Sequence, residues 1–277
     1  MVKITTLVDN YALPVKALEA EHGFSCLVEV GGKRILFDTG MGKAFIRNAK
    51  RLGVDLSNLD DVVISHAHYD HGGGLVPLLE TFSYPLLTLW TGKGFEEKKY
   101  ADDPEGLRYL GPEIDRSDTE HNNVLWHTVC SDTVMIHPGV WLVSAFDRIH
   151  PLEQPNPRFL VEHRQEKIVD EFCDEVAMVI DSPRGLVMIA GCSHPGILNM
   201  IDAVRSRFPK PLYALLGGIH LFDAAPERRD AVVRQLIAQD IPLLGVSHCT
   251  GEEASTMLKD KFPGYFANKA GTVTTII

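Results

Sequence analysis

The spacing of apolar and polar residues predicts two copies of the same unit along the chain. The first copy is a hairpin, a helix and a short buried strand, over residues 24–30 with 34–37, 42–52 and 59–64. The second copy follows about 150 residues later, over residues 175–180 with 186–190, 197–208 and 212–216. Strands that are apolar on both faces must be covered on both sides, so the repeat predicts two sheets packed face to face with helices outside.

The ends of the chain supply further strands to this arrangement. Residues 2–8 alternate and predict an edge strand. Residues 226–239 predict a helix that begins at a proline, and residues 241–246 a buried strand after it. Residues 264–277 predict a tail strand that closes one sheet. The predicted fold class is therefore α/β, a four-layer αββα sandwich that forms a single domain over residues 1–277.

Residues 84–136 depart from this regular pattern. The segment is rich in charged residues and turn formers, and we expect an insertion near the mouth of the site that acts as a lid or a dimer arm. A solvated loop without a role is the alternative. Four histidines in and after this region follow no ligand spacing and are expected at the surface or at helix caps: His121, His127, His137 and His163.

Composition narrows the possible partners. The 277 residues carry a formal net charge of −10, which argues against nucleic acid or an anionic membrane as the main partner. No apolar run approaches the roughly 20 residues of a membrane span. Five cysteines, odd in number and widely spaced, do not form a disulfide framework, so we expect a reduced, cytoplasmic protein. The expected partner is a small-molecule substrate, and a homodimer is possible.

The stretch Ser65-His66-Ala67-His68-Tyr69-Asp70-His71 carries the candidate chemistry. It follows the β-branched run Val62-Val63-Ile64 and precedes three glycines. Residues two apart on a strand share a face, so His66 and His68 can point at one metal ion. Beyond the strand end, Asp70 and His71 can turn toward a second ion. Imidazoles and a carboxylate suit zinc best, with iron or manganese possible.

The motif His66-x-His68-x-Asp70-His71 resembles the signature of the metallo-β-lactamase superfamily, and the resemblance extends to Phe37-Asp38-Thr39-Gly40. The segments around Cys192, His220 and His248 resemble a subgroup named for a dihydropterin–ribofuranosylaminobenzene-phosphate synthase, most of whose members are described only as metal-dependent hydrolases. The resemblance also implies the four-layer αββα sandwich.

Two divalent ions are expected. One would be held by His66, His68 and His194, and the other by Asp70, His71 and His248. His194 follows a buried strand and could instead be a helix-capping residue. Superfamily members often place a bridging aspartate near this strand end, where this chain has Cys192 or Ser193. Cys192 is expected in a supporting position, with metal ligation as the alternative.

Three further residues complete the candidate site. Asp38 is expected to brace the metal-binding loop by hydrogen bonds, or else to be an ordinary turn residue. His220 is either a further ligand or a catalytic imidazole that contacts substrate. Arg148 matches an arginine of a family motif whose other residues differ here. It is expected to bind an anionic group of the substrate, with a salt bridge to a nearby carboxylate as the alternative.

These residues predict a binuclear metal-dependent hydrolase, with chemistry like that of a phosphoesterase. A hydroxide that bridges the ions would attack a small, anionic or phosphorylated substrate, and Asp70 and His220 would be the catalytic residues. One alternative is a metal-dependent synthase or transferase for a pterin or ribosyl-phosphate substrate. Others are a diiron redox protein and a sensor that binds its ligand at the metals.

Overall fold

Two seven-stranded sheets lie face to face in the computed structural model, which describes residues 1–120 and 122–277. Strands are numbered β1 to β18 along the chain. The first sheet has the order β18-β1-β2-β3-β4-β5-β8. Its strands are β1 (Val2–Val8), β2 (Ser25–Val30), β3 (Lys33–Phe37), β4 (Asp61–Val63), β5 (Leu87–Gly92), β8 (Val124–Val129) and β18 (Val273–Ile276).

The second sheet has the order β17-β16-β15-β14-β13-β10-β9. Its strands are β9 (Thr133–His137), β10 (Val140–Val143), β13 (Ala177–Ser182), β14 (Gly185–Ala190), β15 (Leu212–Gly217), β16 (Leu243–Val246) and β17 (Tyr265–Ala267). A third, smaller sheet has the order β12-β11-β6-β7. Its strands are β6 (Lys99–Asp103), β7 (Gly106–Tyr109), β11 (Phe159–His163) and β12 (Glu166–Val169).

Seven helices in the described part of the chain accompany the sheets. They are α1 (Ala44–Leu52), α2 (Tyr69–Gly72), α3 (Leu75–Thr81), α4 (Arg116–Glu120), α5 (Ile197–Arg207), α6 (Pro226–Ile237) and α7 (Glu252–Lys261). Of these, α1 and α3 pack on the outer face of the first large sheet and α5, α6 and α7 on that of the second. A 3₁₀ turn spans His248–Thr250. Among the described residues, no helix is long and apolar enough to cross a membrane.

Successive residues of the buried strands face different layers. On β3, Ile35 and Phe37 join side chains of both sheets in a shared core, whereas Leu36 packs with Phe45 of α1 and Leu78 of α3. The same alternation on β14 places Val187 and Ile189 between the sheets. The neighbouring Met188 joins residues of α5, α6 and α7 on the other side. The strands are apolar throughout because both faces are buried, which confirms the predicted αββα sandwich and its two hairpin–helix–strand halves.

The predicted element bounds agree with the structure to within a few residues, but the chain ends differ. The strand β1 is not an edge strand, because β18 pairs with it on its outer side. The tail contributes two strands rather than one, β17 to the second sheet and β18 to the first. The apolar residues of β1 indicate that its side chains are buried. They do not indicate which strand pairs with its outer edge, because β18 lies about 270 residues later in the chain.

The segment 84–136 contributes strands to all three sheets. Strands β5 and β8 extend the first sheet, and β9 lies at the edge of the second. Its central part, 99–109, pairs instead with Phe159–His163 through β6. The third sheet is thus built from two distant parts of the chain. The role of segment 84–136 as a lid or dimer arm stays a prediction.

Two of the three glycines after the His66–His71 motif, Gly73 and Gly74, are required for close packing. Gly73 and Gly74 have φ angles of −63° and −84°, which any residue adopts. A Cβ on Gly74, however, would lie 2.3 Å from the Thr39 carbonyl oxygen and 2.7 Å from the Phe45 ring. The first helical turn after the motif therefore packs directly against the end of β3.

We expect Gly74→Ala to lower the free energy of unfolding by about 1–3 kcal/mol, because overpacking forces the backbone apart at this contact. Gly42→Ala is the matched control, since its Cβ would meet nothing closer than a Glu21 side-chain oxygen at 3.7 Å. Urea unfolding of both variants measures the difference. Equal stability of the two variants would contradict the close-packing explanation.

Candidate metal centre

The candidate site lies at one edge of the sandwich, where strands of both sheets end. Strand β3 runs parallel to β4, and β14 runs parallel to β15 and β15 to β16. The carboxyl ends of parallel strands meet at the same edge of a sheet, which is where loops can gather functional side chains. The site residues follow these ends: Asp38 after β3, His66 and His68 after β4, Cys192 and His194 after β14, His220 after β15, and His248 after β16.

His66, His68 and His194 form the first group of donors. The Nε2 atom of His66 lies 3.1 Å from Nδ1 of His68. The ring of His194 is 4.8 Å from that of His66 and 4.9 Å from that of His68. Its Nε2 atom is buried and has no hydrogen-bond partner. The predicted first ligand set is therefore gathered around one point.

Asp70, His71 and His248 form the second group. The Oδ2 atom of Asp70 lies 3.0 Å from Nε2 of His248 and 3.7 Å from Nε2 of His71. Asp70 and His71 lie on the short helix α2, directly after His68, so one turn of backbone directs them away from the first group. The two predicted ligand sets thus lie side by side.

A buried carboxylate holds this loop in place. Asp38 Oδ2 accepts a hydrogen bond from Ser65 Oγ at 2.8 Å and pairs with His71 Nδ1 at 2.7 Å. Its Oδ1 accepts from the Ser65 backbone N–H at 2.7 Å. Because Nδ1 of His71 is engaged by Asp38, its Nε2 is left to face the site. This is the contact expected of a carboxylate that orients a ligating imidazole.

Four residues at the strand ends have backbone strain. Asp38, Ser193, His220 and His248 have φ angles of 57°, 61°, 43° and 48°, in the left-handed region that side-chain-bearing residues rarely adopt. Such conformations cost of order 1–3 kcal/mol each and persist where the surroundings impose them, often at functional sites. Here they lie shortly after β3, β14, β15 and β16, where the chain leaves each strand at the edge that carries the site.

Burial sets the protonation of the first group. It holds the pKa of His66, His68 and His194 well below the usual value for histidine, so these imidazoles are neutral. Neutral imidazole is the form that binds metals. Burial favours protonation of Asp70, but His71, His22 and His248 outweigh it and hold the pKa of Asp70 well below its usual value.

The second group attracts positive charge. Burial disfavours the charged form of His71, yet the carboxylates of Asp38 and Asp70 outweigh it and raise the pKa of His71 to about 9. Without a bound metal, the positive charge of protonated His71 offsets the negative charge of these carboxylates. A divalent cation would supply that charge instead and leave Nε2 as a donor. Neutral imidazoles, an ionised carboxylate and unpartnered ring nitrogens therefore fit divalent metal ions.

His220 also lies at this edge. Its ring is 4.1 Å from that of His194, and both ring nitrogens are buried without a hydrogen-bond partner. The pseudo-repeat predicts this place, since His220 ends the second-half strand that corresponds to the one before His66. Whether His220 binds a metal or contacts substrate stays a prediction.

The guanidinium of Arg148 contacts the loop that carries His194. It donates to the carbonyl oxygens of His194, Glu153 and Glu171 at 3.2–3.3 Å and pairs with the Glu171 carboxylate at 3.3 Å. The salt bridge weighed as the alternative is therefore present, with Glu171 as the partner. These contacts hold the His194 loop in place, and the predicted binding of a substrate anion stays a prediction.

The other histidines have different partners. His127 stacks on Trp90, His137 pairs with Asp61, and His163 lies 3.3 Å from Glu97. None of the three belongs to a group of donors among the described residues. His121 lies outside the described residues.

Sequence patterns did not identify His22 as a site residue. It lies in the loop before β2, with Nε2 3.3 Å from Asp70 Oδ2 and its ring 4.7 Å from that of His248. Half of its side chain is exposed, so it borders the opening of the site. A single histidine in a loop has no spacing that would indicate a ligand.

Phe172 and Glu175 were also missed. Phe172 stacks parallel to His194 with ring centroids 3.8 Å apart. Glu175 is fully buried, accepts from the Ser193 N–H, and places Oε2 3.7 Å from His66 Nδ1. Two adjacent acidic residues directly before a fully buried strand, Asp174 and Glu175, were the available signal.

A buried ion network ties the third sheet to the metal-binding loop. Lys99 of β6 is 2% exposed and lies 2.7 Å from Asp170 and 2.6 Å from Asp174. The second oxygen of Asp174 accepts from the N–H of Ala67, between His66 and His68, at 2.7 Å. Burial disfavours the lysine charge, but the two aspartates outweigh it and raise the pKa of Lys99. Segment 84–136, through Lys99, is thus part of the support of the site.

Known proteins share this fold. The sequence model described as Metallo-beta-lactamase superfamily matches residues 18–172, more than half of the chain. A solved structure, Tm1679, described as a metal-dependent hydrolase of the beta-lactamase superfamily, is 30% identical. It superposes with a TM-score of 0.86 over 100% of this chain and 99% of that one. The chain belongs to the metallo-β-lactamase superfamily.

One curated relative shows the predicted subgroup resemblance. The 7,8-dihydropterin-6-methyl-4-(beta-D-ribofuranosyl)-aminobenzene-5'-phosphate synthase of Methanocaldococcus jannaschii is 28% identical over 273 residues. The match covers 94% of this chain and 92% of that protein. A zinc-bound PqqB structure from Methylobacterium extorquens, 13% identical with a TM-score of 0.61 over 99% of this chain and 100% of that one, shows the same fold.

The buried carboxyl of Glu175 makes a pH-dependent prediction for the metal-free protein. Burial and then Asp174 raise the pKa of Glu175 from 4.5 to about 8. The folded state therefore retains this proton up to about pH 8, whereas the unfolded chain releases it near pH 4.5. Stability from this group is full below pH 4.5 and falls as pH rises toward 8, by up to about 1.4 kcal/mol per pH unit.

Glu175→Gln removes the titration and keeps an acceptor for the Ser193 N–H. We expect the free energy of unfolding of chelator-treated variant protein to fall less between pH 5 and pH 8, roughly the window set by this pKa, than that of wild type. The exposed Glu253→Gln serves as control and should follow wild type. Urea unfolding at each pH checks this, and parallel curves for Glu175→Gln and wild type would show that Glu175 titrates normally.

Proposed function

We propose that this chain is a binuclear metal-dependent hydrolase of a small, anionic, phosphorylated substrate. The observation that carries the proposal is the convergence of two donor groups at one strand-end edge, with neutral imidazoles in one and an ionised carboxylate in the other. His66, His68 and His194 would hold one ion, and Asp70, His71 and His248 the other. Zinc suits these nitrogen donors best, and iron and manganese are the alternatives.

Bound ions would lower the pKa of a water molecule and stabilise negative charge that builds on the substrate. The chain's own residues would do the rest. Asp70, held by His22 and His248, can accept a hydrogen bond from the attacking water and orient it. His220, whose ring nitrogens have no hydrogen-bond partner among the described residues, can donate to or accept from a substrate oxygen.

Aromatic side chains next to the donors make the surroundings of the site less polar. Phe159 lies 5.2 Å from His194 and 5.5 Å from His220, and Phe222 lies 5.3 Å from His220. Electrostatic interactions are stronger in such surroundings than in water. Phe222 is half exposed and borders the entrance, where it can contact a bound substrate.

A synthase is the second candidate, because the Methanocaldococcus relative that matches 94% of this chain is named for a synthesis. The same two-ion centre would then activate a phosphate-bearing substrate for condensation. A panel of phosphodiester, phosphomonoester and thioester substrates, assayed with and without an acceptor, separates the two. Turnover that requires the acceptor would favour the synthase.

We expect the protein to bind about two transition-metal ions per chain, because the donors form two groups.

We expect Asp70→Ala to lower kcat by at least about 100-fold while the protein stays folded. A loop carboxylate adds little to the core, so its loss affects chemistry more than stability. Asp240→Ala, at an exposed position, is the control. Elemental analysis, circular dichroism and turnover are measured together. Near wild-type turnover of Asp70→Ala with full metal occupancy would refute the assignment.

The anion role of Arg148 has its own test. Arg148→Ala should reduce kcat/KM for phosphorylated substrates by about ten-fold or more beyond any loss seen with neutral analogues, since a charge-assisted hydrogen bond contributes roughly 1.5–3 kcal/mol. Loosening of the His194 loop should lower both series alike. Kinetics on matched phosphorylated and neutral substrates measure the ratio. An equal loss on both series would mean that Arg148 only holds the His194 loop.

A further inference from the structure

The thiol of Cys192 lies between the two donor groups. Donor atoms of His66, Cys192 and His194 all lie within 4.8 Å of one another, and so do those of His71, Cys192 and His248. Cys192 is the residue that these two sets share. Its Sγ is 3.1 Å from Nε2 of His71. The thiol therefore lies within reach of donor atoms of both groups.

The surroundings of this thiol differ from those of a structural buried cysteine. Such a cysteine packs as a small apolar side chain. Cys192 is 2% exposed, but its sulfur faces an imidazole nitrogen of the second group. The first group adds His194, whose Nε2 has no partner. Because Asp38 already engages Nδ1 of His71, the nitrogen that faces Cys192 is the one left to bind a metal.

We propose that Cys192 is a thiolate ligand shared by both ions, so that the centre is bridged by sulfur. The proposal rests on the two-ion centre proposed above and adds the identity of the bridging side chain. A thiolate bridge favours ions that bind sulfur well, such as zinc and cobalt, over manganese and magnesium, which prefer oxygen. Cys192 therefore sets the metal preference of the site.

Cys249 is a suitable control for Cys192, because it is a second buried cysteine next to the same donors. It forms another group with Cys192 and His220, within the same 4.8 Å limit. Its Sγ also lies 3.6 Å from the Cys192 carbonyl oxygen, to which the thiol can donate. Cys249 belongs to neither of the sets that contain His66 or His71. Both cysteines are buried, so the two Cys→Ser variants remove similar atoms from the same region.

The experiment loads chelator-treated wild type, Cys192→Ser and Cys249→Ser with Co²⁺ and records near-ultraviolet absorption and metal content. We expect wild type and Cys249→Ser to bind two ions and show a sulfur-to-cobalt charge-transfer band. Cys192→Ser should lose the band and bind Co²⁺ at least about ten-fold more weakly, because changes even to outer-shell partners of metal ligands commonly cost that much. Circular dichroism confirms that each variant is folded.

Cys192→Asp keeps the proposal testable if the serine variant does not fold. A carboxylate at this position can still bridge two ions, so this variant should bind two Co²⁺ without the sulfur band. In competition between Zn²⁺ and Mn²⁺, the ratio of zinc to manganese bound should fall relative to wild type.

Three outcomes would overturn the proposal. Two Co²⁺ ions in wild type without a sulfur band would leave the two-ion centre intact and refute the thiolate bridge. Loss of the band in Cys249→Ser but not in Cys192→Ser would assign the sulfur ligand to Cys249. Failure of wild type to bind any Co²⁺, Zn²⁺ or Mn²⁺ would refute the proposed function itself.

Discussion

The site depends on the hydrogen bonds of Asp38, which join the end of β3 to the loop that carries Ser65 and His71. One carboxylate, at the end of β3, accepts from the backbone and side chain of Ser65 and engages His71. Ser65 directly precedes His66, so the same contact positions residues of both donor groups. Asp38 is fully buried, and its partners satisfy both oxygens. An unpaired carboxylate there would cost several kcal/mol, so the loop is held in the one arrangement that pairs it.

Packing of the two sheets brings the second half to this loop. A Cβ on Gly191, directly after β14, would lie 2.1 Å from Ser65 Oγ. The backbone of the second half therefore packs directly against the Ser65 side chain of the first half, next to the site. Cys192 follows directly and lies among donors of the first half. The proposed thiolate bridge is thus a consequence of how closely β14 meets the end of β4.

Charged side chains outside the donor groups position the loops of the same region. Lys99 and its two aspartates attach the third sheet to the N–H of Ala67, and Arg148 holds the carbonyl of His194. Buried ion pairs such as those of Lys99 add little net stability, but removing one partner is costly because a buried charge remains. We therefore interpret them as groups that fix the geometry of the loops rather than as sources of folding energy.

Local patterns in the sequence determined the fold class and most of the predicted ligands. Periodicity of apolar residues identified the two halves, because burial on one or both faces leaves a direct mark on spacing. His66, His68, Asp70 and His71 could be predicted as ligands because metal ligands close in sequence have a characteristic interval. Tertiary structure alone decided the partners that lie far apart in the chain. The pairing of β18 with β1, the contact of His22 with Asp70, and the place of Cys192 between the two groups depend on distant segments meeting, for which no short-range pattern is required.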